Sequence, residues 1–116
     1  MKNNFKNKYS FDERVQESRN IKEKYPDRVP IIVQKNPYCD VPDIDKFKYL
    51  VPKEMNMAQF LFVIRKRIKI NSSTSLFIIV DNGLVGSSIN ISSIYEDKKD
   101  NDGFLYVTYT TENTFG

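Results

Sequence analysis

The 116-residue sequence has no histidine, no tryptophan and a single cysteine, Cys39. Without histidine, the chain lacks a Ser-His-Asp triad, a Cys-His pair and the usual zinc-ligand sets. One thiol cannot form a disulfide within the chain. The four glycines, Gly83, Gly86, Gly103 and Gly116, fit neither a dinucleotide-binding fingerprint nor a phosphate-binding loop. These absences predict a protein that is not an enzyme and that needs no cofactor and no metal.

Long apolar runs are also missing. No segment approaches the roughly 20 apolar residues that span a bilayer, and the first residues lack the apolar core of a signal peptide. We therefore expect a cytoplasmic or nuclear protein. The length suits one domain.

Charge is distributed unevenly. Residues 1–69 carry 16 Lys/Arg and 9 Asp/Glu, a net +7, whereas residues 70–116 carry 2 and 6, a net −4. A basic surface suits acidic peptides, anionic lipid or nucleic acid, and a solvated basic face with no partner explains the charge equally well.

Three helices are predicted from spacing and caps. Ser10 and Glu13 form a capping-box pattern that starts a helix at about 11–24, before Pro26. Asn56 caps a second helix that runs to about Lys69, and residues 90–98 form a short third one. Residues 1–9 are either a short docked helix or a mobile arm.

Four strands are predicted from β-branched and aromatic runs, at 29–33, 48–51, 76–80 and 104–109, with a turn at 81–83. A four-stranded mixed sheet that clasps the 56–69 helix is the economical arrangement. We therefore predict an α+β, ubiquitin-like β-grasp fold. Its parts are an N-terminal helical extension (1–25), the β-grasp core (26–110) and a flexible tail (111–116).

The strand at 48–51 must present two different faces. Lys48 and Leu50 point one way, and Tyr49 and Val51 point the other.

Five segments carry a resemblance to a known family. They read KYPDRVP at 24–30, KYLVP at 48–52, FVIRKRI at 62–68, DGFLYVTY at 102–109 and ENTFG at 112–116. Together they resemble the ubiquitin-like modifiers of autophagy, the GABA-A-receptor-associated-protein and microtubule light-chain group.

The resemblance implies that Gly116 is conjugated to phosphatidylethanolamine by activating and conjugating enzymes, with a cysteine protease as the deconjugating partner. A glycine without a Cβ suits a narrow enzyme cleft, and a six-residue polar tail could extend about 20 Å. Thr110 and Thr111 are polar and are not expected to pack. The resemblance further implies that the lipidated chain lies on an autophagosome or related vesicle membrane. We expect it to be a monomer in solution that binds no nucleic acid.

The same resemblance implies two pockets for cargo receptors that carry aromatic-x-x-aliphatic motifs, captured as an added strand at the 48–51 edge. Pocket 1, for the aromatic anchor, comprises Glu17, Ile21, Pro30, Ile32, Lys48, Leu50 and Phe104. Pocket 2, for the aliphatic anchor, comprises Tyr49, Val51, Pro52, Met55, Phe60 and Val63. A charged flank for acidic residues of the peptide comprises Arg28, Lys46 and Arg67.

Three features depart from the family pattern. Residues 84–88, Leu-Val-Gly-Ser-Ser, replace the usual Pro-Pro pair, and Met55 replaces the usual leucine. The sequence ends at Gly116, so it is either ready for conjugation or a processed or truncated form.

Two alternatives stay open. One is a ubiquitin-like interaction domain of vesicle trafficking that is never conjugated. The other is an RNA-binding domain, because residues 103–109 approximate an aromatic base-stacking strand.

Overall fold

The computed structural model describes residues 4–111 of the chain. Its elements in chain order are α1 (Asn4–Lys8), α2 (Phe11–Lys24), β1 (Arg28–Lys35), β2 (Lys48–Pro52), α3 (Met57–Ile68), β3 (Phe77–Val80), β4 (Gly83–Leu84), α4 (Ile91–Lys98) and β5 (Leu105–Thr110). The predicted helices and strands are present within a few residues of their expected bounds.

Side-chain caps fix where the two longest helices begin. The Ser10 hydroxyl accepts the Glu13 N–H at 3.1 Å, and the Glu13 carboxylate accepts the Ser10 N–H at 2.8 Å. Asn56 and Gln59 form the same reciprocal pair at the start of α3, with both distances 2.9 Å. Each pair satisfies two backbone donors that a helix start leaves without partners, so both predicted caps are confirmed.

The strands form one mixed sheet in the order β2-β1-β5-β3-β4. β1 and β5 run parallel, and the other neighbours are antiparallel. The predicted fold is confirmed, but the strand count was wrong: within residues 4–111 the sheet has five strands, because Gly83–Leu84 pairs with the end of β3. Asp81 and Asn82 both have positive φ, as in a tight two-residue hairpin turn, so the chain reverses before Gly83.

The sheet separates two apolar clusters. The larger one lies between the sheet and helices α3 and α4, where Phe60, Ile64 and Ile91 are almost fully buried. The smaller one lies on the opposite face beneath α1 and α2, and its buried members are Phe5, Ile32 and Phe104.

Residues 4–8 pack as a docked helix, which decides between the two alternatives for the described part of residues 1–9, while residues 1–3 lie outside the described residues. The Phe5 ring is 5% exposed, and its centroid lies 5.2 Å from that of Phe104. Lys6 pairs with Asp100 at 2.6 Å. An aromatic anchor and an ion pair thus attach α1 to the start of β5.

The end of β5 differs from the expectation. Thr110 and Thr111 were expected not to pack, yet both are buried, and the Asn36 amide donates to the Thr110 hydroxyl at 3.1 Å. The segment therefore packs at least as far as Thr111. Residues 112–116 of the predicted tail, with Gly116, lie outside the described residues.

No helix within residues 4–111 is long and apolar enough to cross a membrane.

Candidate functional site

β2 lies at one end of the sheet and is hydrogen-bonded to β1 alone among the described strands. The predicted candidate for peptide capture is therefore an edge strand. Such an edge presents main-chain donors and acceptors that can pair with a further strand.

The register identifies which residues of β2 turn their main-chain groups outward. Val33 donates to the Phe47 carbonyl at 2.7 Å, and Lys53 donates to the Asp27 carbonyl at 3.2 Å. In an antiparallel ladder every second pair of opposite residues exchanges hydrogen bonds, so Ile31–Tyr49 and Val29–Val51 are the hydrogen-bonded pairs between these two. Pro30 and Leu50 form one of the pairs in between, which exchange no main-chain hydrogen bonds, and this position suits a proline because it has no N–H. Lys48 and Leu50 therefore direct their N–H and C=O groups to the outer edge.

The pocket 1 residues gather on the face of the sheet that α2 covers. Pro30 lies opposite Leu50 and Ile32 lies opposite Lys48 in the β1–β2 register. Ile32 and Phe104 are buried at the floor, whereas Ile21 and Leu50 are half-buried. Ile21, Leu50 and the Lys48 stem are thus the parts that an aromatic side chain could reach.

Apart from Pro52, the pocket 2 residues gather on the other face, against α3. Tyr49, Val51 and Phe60 are buried, and the Tyr49 and Phe60 rings meet edge to face at 5.7 Å. Met55 and Val63 are half-buried and form the accessible wall. Pro52 has the parity of Lys48 and Leu50 along β2 and therefore lies on the pocket 1 side, apart from the rest of its predicted set. The alternation of β2 assigns Lys48 and Leu50 to one side of the strand and Tyr49 and Val51 to the other, as predicted from its pleat.

The cations around the site already have partners. Lys48 pairs with Glu17 across pocket 1. The Arg67 guanidinium forms a two-point contact with Asp45, with Nε–Oδ1 at 2.7 Å and Nη2–Oδ2 at 3.3 Å. This hydrogen-bonded contact lowers the pKa of Asp45 below its ordinary value and raises that of Arg67.

The other two predicted flank residues lie against β2 itself. Arg28 donates from Nη1 to the Leu50 carbonyl at 3.2 Å, on the outer edge of the strand. The Lys46 ammonium lies 5.0 Å from the centroid of the Tyr49 ring. Arg28, Lys46 and Arg67 are all exposed, so each can be reached from solvent.

Tyr49 carries a polar group inside the site. Within residues 4–111, its hydroxyl is the one buried side-chain oxygen or nitrogen without a hydrogen-bond partner. Burial raises the pKa of this phenol. The Tyr49 ring therefore contributes to pocket 2 as an apolar surface.

A buried polar network positions α2, which carries Glu17 and Ile21. Arg14 donates to Asp102 at 2.6 Å, and the Tyr106 hydroxyl donates to the same carboxylate oxygen. The Ser18 hydroxyl donates to the Asp102 carbonyl at 2.5 Å. This network was not predicted from the sequence, because Arg14 and Asp102 are 88 residues apart and only the fold brings them together.

The 84–88 segment, where the sequence departs from the family pattern, is attached to the start of α3. The carbonyls of Ser87 and Ile89 accept the N–H groups of Ala58 and Met57 at 2.8 and 2.9 Å. These are helix-start donors that need partners from outside the helix. The segment thus completes the cap of α3 without the Pro-Pro pair.

The rings that suggested RNA binding do not lie on an open surface. Phe104 and Tyr109 are fully buried, and Tyr109 donates its hydroxyl to the Pro42 carbonyl at 2.8 Å. Tyr106 is half-buried, and its ring packs near those of Phe5 and Phe104. Base stacking requires exposed ring faces. The burial of these rings therefore favours a role for β5 as a strand of the core over a role as a base-stacking surface.

The topology, with a helix crossing a mixed sheet whose edge strand lies between two apolar clusters, defines a ubiquitin-like domain. A family described as "Autophagy protein Atg8 ubiquitin like" matches residues 13–116. The chain belongs to this family.

Named relatives and a solved structure agree with this assignment. The chain is 54% identical over 112 residues to Autophagy-related protein 8e of Arabidopsis thaliana, covering 97% of this chain and 92% of the relative. It is 51% identical to Autophagy-related protein 8 of Mycosarcoma maydis, covering 100% and 98%. The crystal structure of Trypanosoma brucei ATG8 superposes with a TM-score of 0.94 at 35% identity, covering both chains fully.

Family membership confirms the resemblance drawn from the sequence motifs. The protein is a ubiquitin-like autophagy modifier, and proteins of this family act as modifiers and adaptors rather than enzymes. The prediction that the chain is not an enzyme is confirmed on this ground.

Proposed function

We propose that the chain is conjugated through Gly116 to phosphatidylethanolamine and serves on the membrane as an adaptor for cargo receptors and autophagy proteins. Its partners would be the activating, conjugating and deconjugating enzymes of the family, and receptors that carry aromatic-x-x-aliphatic motifs. The conjugated form would lie on autophagosomes or related vesicles, and the unconjugated form in the cytoplasm.

The two-sided edge of β2 is the observation that supports motif binding most directly. Lys48 and Leu50 direct main-chain groups outward, so a peptide strand could bond to them. The half-buried side chains Leu50 and Val63 lie on opposite sides of that edge. A peptide with two apolar anchors fits this arrangement better than a peptide with one.

The size of the two anchors suggests moderate affinity. Burying each anchor contributes about 1.5–3 kcal/mol to the free energy of binding. The peptide loses conformational and translational freedom when it binds, and this loss opposes binding. The two anchors together give about 3–6 kcal/mol, which corresponds to a dissociation constant no tighter than roughly 40 μM, so main-chain pairing along β2 must supply the rest of a tighter complex. Such affinities suit an adaptor that relies on several copies held together on one membrane.

The position of the C-terminus is compatible with conjugation. β5 is packed up to Thr111, and the five residues from Glu112 to Gly116 span at most about 18 Å when extended. That reach suits an enzyme cleft that must accept a glycine carboxylate beside the domain.

Calorimetry with an aromatic-x-x-aliphatic peptide tests the motif-binding proposal. Leu50→Ala should weaken binding about tenfold, because it removes apolar contact from pocket 1. Leu84→Ala is the matched control, since Leu84 is an exposed leucine on the opposite edge of the sheet. Equal affinity of the Leu50→Ala variant and the parent would contradict the β2 site.

An unconjugated interaction domain is the second candidate, and it shares the same β2 site. Peptide binding alone supports both candidates equally. Only a lipid adduct on Gly116 separates them.

A further inference from the structure

The ion pair between Asp45 and Arg67 stands at the rim of the proposed peptide site. Asp45 lies in the segment just before β2, and Arg67 lies on α3 one turn after Val63 of pocket 2. Both side chains are accessible, since that of Arg67 is 46% exposed and that of Asp45 is 72% exposed. A ligand in the site could therefore contact either member of the pair.

Asp45 binds the Arg67 guanidinium in the same way that an acidic side chain of a ligand would bind it. Two nitrogens of Arg67 contact the two carboxylate oxygens of Asp45, which is the two-point geometry that guanidinium groups adopt with carboxylates. An incoming aspartate or glutamate that takes the same Nε and Nη2 atoms can match this contact but cannot exceed it, and must replace Asp45 to make it.

From this competition we propose that Asp45 is a specificity-determining residue of the peptide site: its carboxylate occupies Arg67 in the free protein and exchanges with an acidic side chain of the ligand. The inference rests on the proposed peptide-binding function. An acidic peptide residue that reaches Arg67 displaces Asp45 into solvent, so the protein loses one ion pair for each one that the ligand gains.

The exchange limits how strongly the parent protein can prefer acidic peptides. In a variant without the Asp45 charge, Arg67 has no carboxylate to release and the ligand gains a whole pair. Exposed ion pairs change equilibria by about two- to fivefold at most. Asp45→Asn should therefore tighten binding of a suitable acidic peptide about two- to fivefold.

Asp43→Asn is the matched control, because it changes the net charge equally and lies two residues away. The Asp43 side chain is 86% exposed, and its partner is Lys35 at 3.7 Å rather than Arg67. Any gain from overall charge alone appears in both variants. A gain specific to Asp45→Asn measures the exchange at Arg67.

The experiment measures calorimetric affinities of four synthetic peptides that share two anchors, a tryptophan and a leucine three residues later, with Thr-Ser between them unless aspartates take those two positions. Three of them carry two aspartates before, between or after the anchors, and the fourth is neutral. We expect Asp45→Asn to tighten at least one acidic peptide two- to fivefold more than Asp43→Asn does. The neutral peptide should bind both variants alike, and adding Arg67→Gln should abolish the gain.

Titration of the Asp45 carboxyl by NMR gives an independent readout. Arg67 lowers the pKa of Asp45 in the free protein, while Lys46 and Tyr49 lie nearby. In the complex with the peptide that gains, the pKa should rise towards the ordinary value of an aspartate. In the complex with the neutral peptide, it should stay low.

The outcomes separate the inference from the proposed function. If the parent binds none of the four peptides, the peptide-binding function fails and the inference fails with it. If the parent binds them but Asp45→Asn equals Asp43→Asn for every acidic peptide, the exchange alone is refuted. An equal gain for the neutral peptide would also refute it, because a steric effect of Asp45 would then explain the result.

Discussion

Replacing Asp102 with asparagine should destabilise the protein severely while preserving the shape of the side chain. The Asp102 side chain is fully buried, and that of Arg14 is only 10% exposed. The carboxylate accepts hydrogen bonds from Arg14, from the Tyr106 hydroxyl and from the Phe104 N–H. The substitution removes the negative charge and leaves the Arg14 cation without its counter-charge.

The magnitude follows from what remains after the substitution. Removing one partner of a buried ion pair costs about 3–5 kcal/mol, because the other charge stays buried without compensation. The asparagine oxygen can still accept one or two of the bonds, so we expect a loss of about 3 kcal/mol. With a urea m-value of about 1.5 kcal/mol/M, the unfolding midpoint should fall by about 2 M.

Urea unfolding followed by circular dichroism measures the loss, with Asp100→Asn as the control. Asp100 also pairs with an N-terminal cation, Lys6, but these side chains are 27% and 37% exposed. Exposed pairs contribute less than about 1 kcal/mol. Equal losses in the two variants, or a loss below about 1 kcal/mol in Asp102→Asn, would refute the buried-charge argument. Adding Arg14→Met to Asp102→Asn should restore part of the stability, because no buried charge then lacks a partner.

Three further predictions concern the N-terminal helices and the tyrosines. Gly103→Ala should cost about 1–3 kcal/mol in urea unfolding, because Gly103 has φ +94° and a Cβ there would overlap the Ser18 hydroxyl; parental stability would contradict this. Phe5→Ala should speed amide exchange of α1, since it removes the aromatic contact with Phe104; unchanged protection would show that Phe5 does not hold the helix. Burial raises the pKa of Tyr106 and Tyr109, so their neutral forms stabilise the fold fully below about pH 10. The free energy of unfolding should fall as pH rises above that value, and a flat profile up to pH 12 would contradict the shifts.

Local signals in the sequence were sufficient for most of the elements. The reciprocal caps at Ser10 and Asn56 predicted the starts of α2 and α3, because a cap depends on residues only three positions apart. The turn at 81–83 was predicted as well, whereas the strand β4 that follows it was not. Asp81 and Asn82 reverse the chain in two residues, and only pairing with Ile79 and Val80 makes Gly83–Leu84 a strand.

The two faces of β2 were predictable, whereas the partners of the site's charges were not. Alternation along a strand follows from backbone geometry alone, so Leu50 and Val51 could be assigned to different sides. The Arg67–Asp45 and Lys48–Glu17 pairs join residues 22 and 31 positions apart. Neither separation along the sequence corresponds to a helix or strand repeat, so these contacts could be identified only from the three-dimensional structure.

Phe5 illustrates the same limit at the N-terminus. Its sequence context, a basic and polar stretch, suited a mobile arm as well as a docked helix. The deciding contacts come from Phe104 and Phe47, which lie far along the chain. Tyr9 also contacts Phe5, but burial of the Phe5 ring depended on the residues that the fold brings to it from far along the chain.

Conjugation is the claim on which the proposed role as a membrane-tethered adaptor depends. The most direct measurement incubates the chain, beside a Gly116→Ala variant, with the family's activating and conjugating enzymes, ATP and liposomes that contain phosphatidylethanolamine. Intact mass should show a phosphatidylethanolamine adduct on the parent and none on the variant. Absence of the adduct with a matched enzyme set, or equal modification of the Gly116→Ala variant, would contradict conjugation through Gly116 and leave an unconjugated peptide-binding domain.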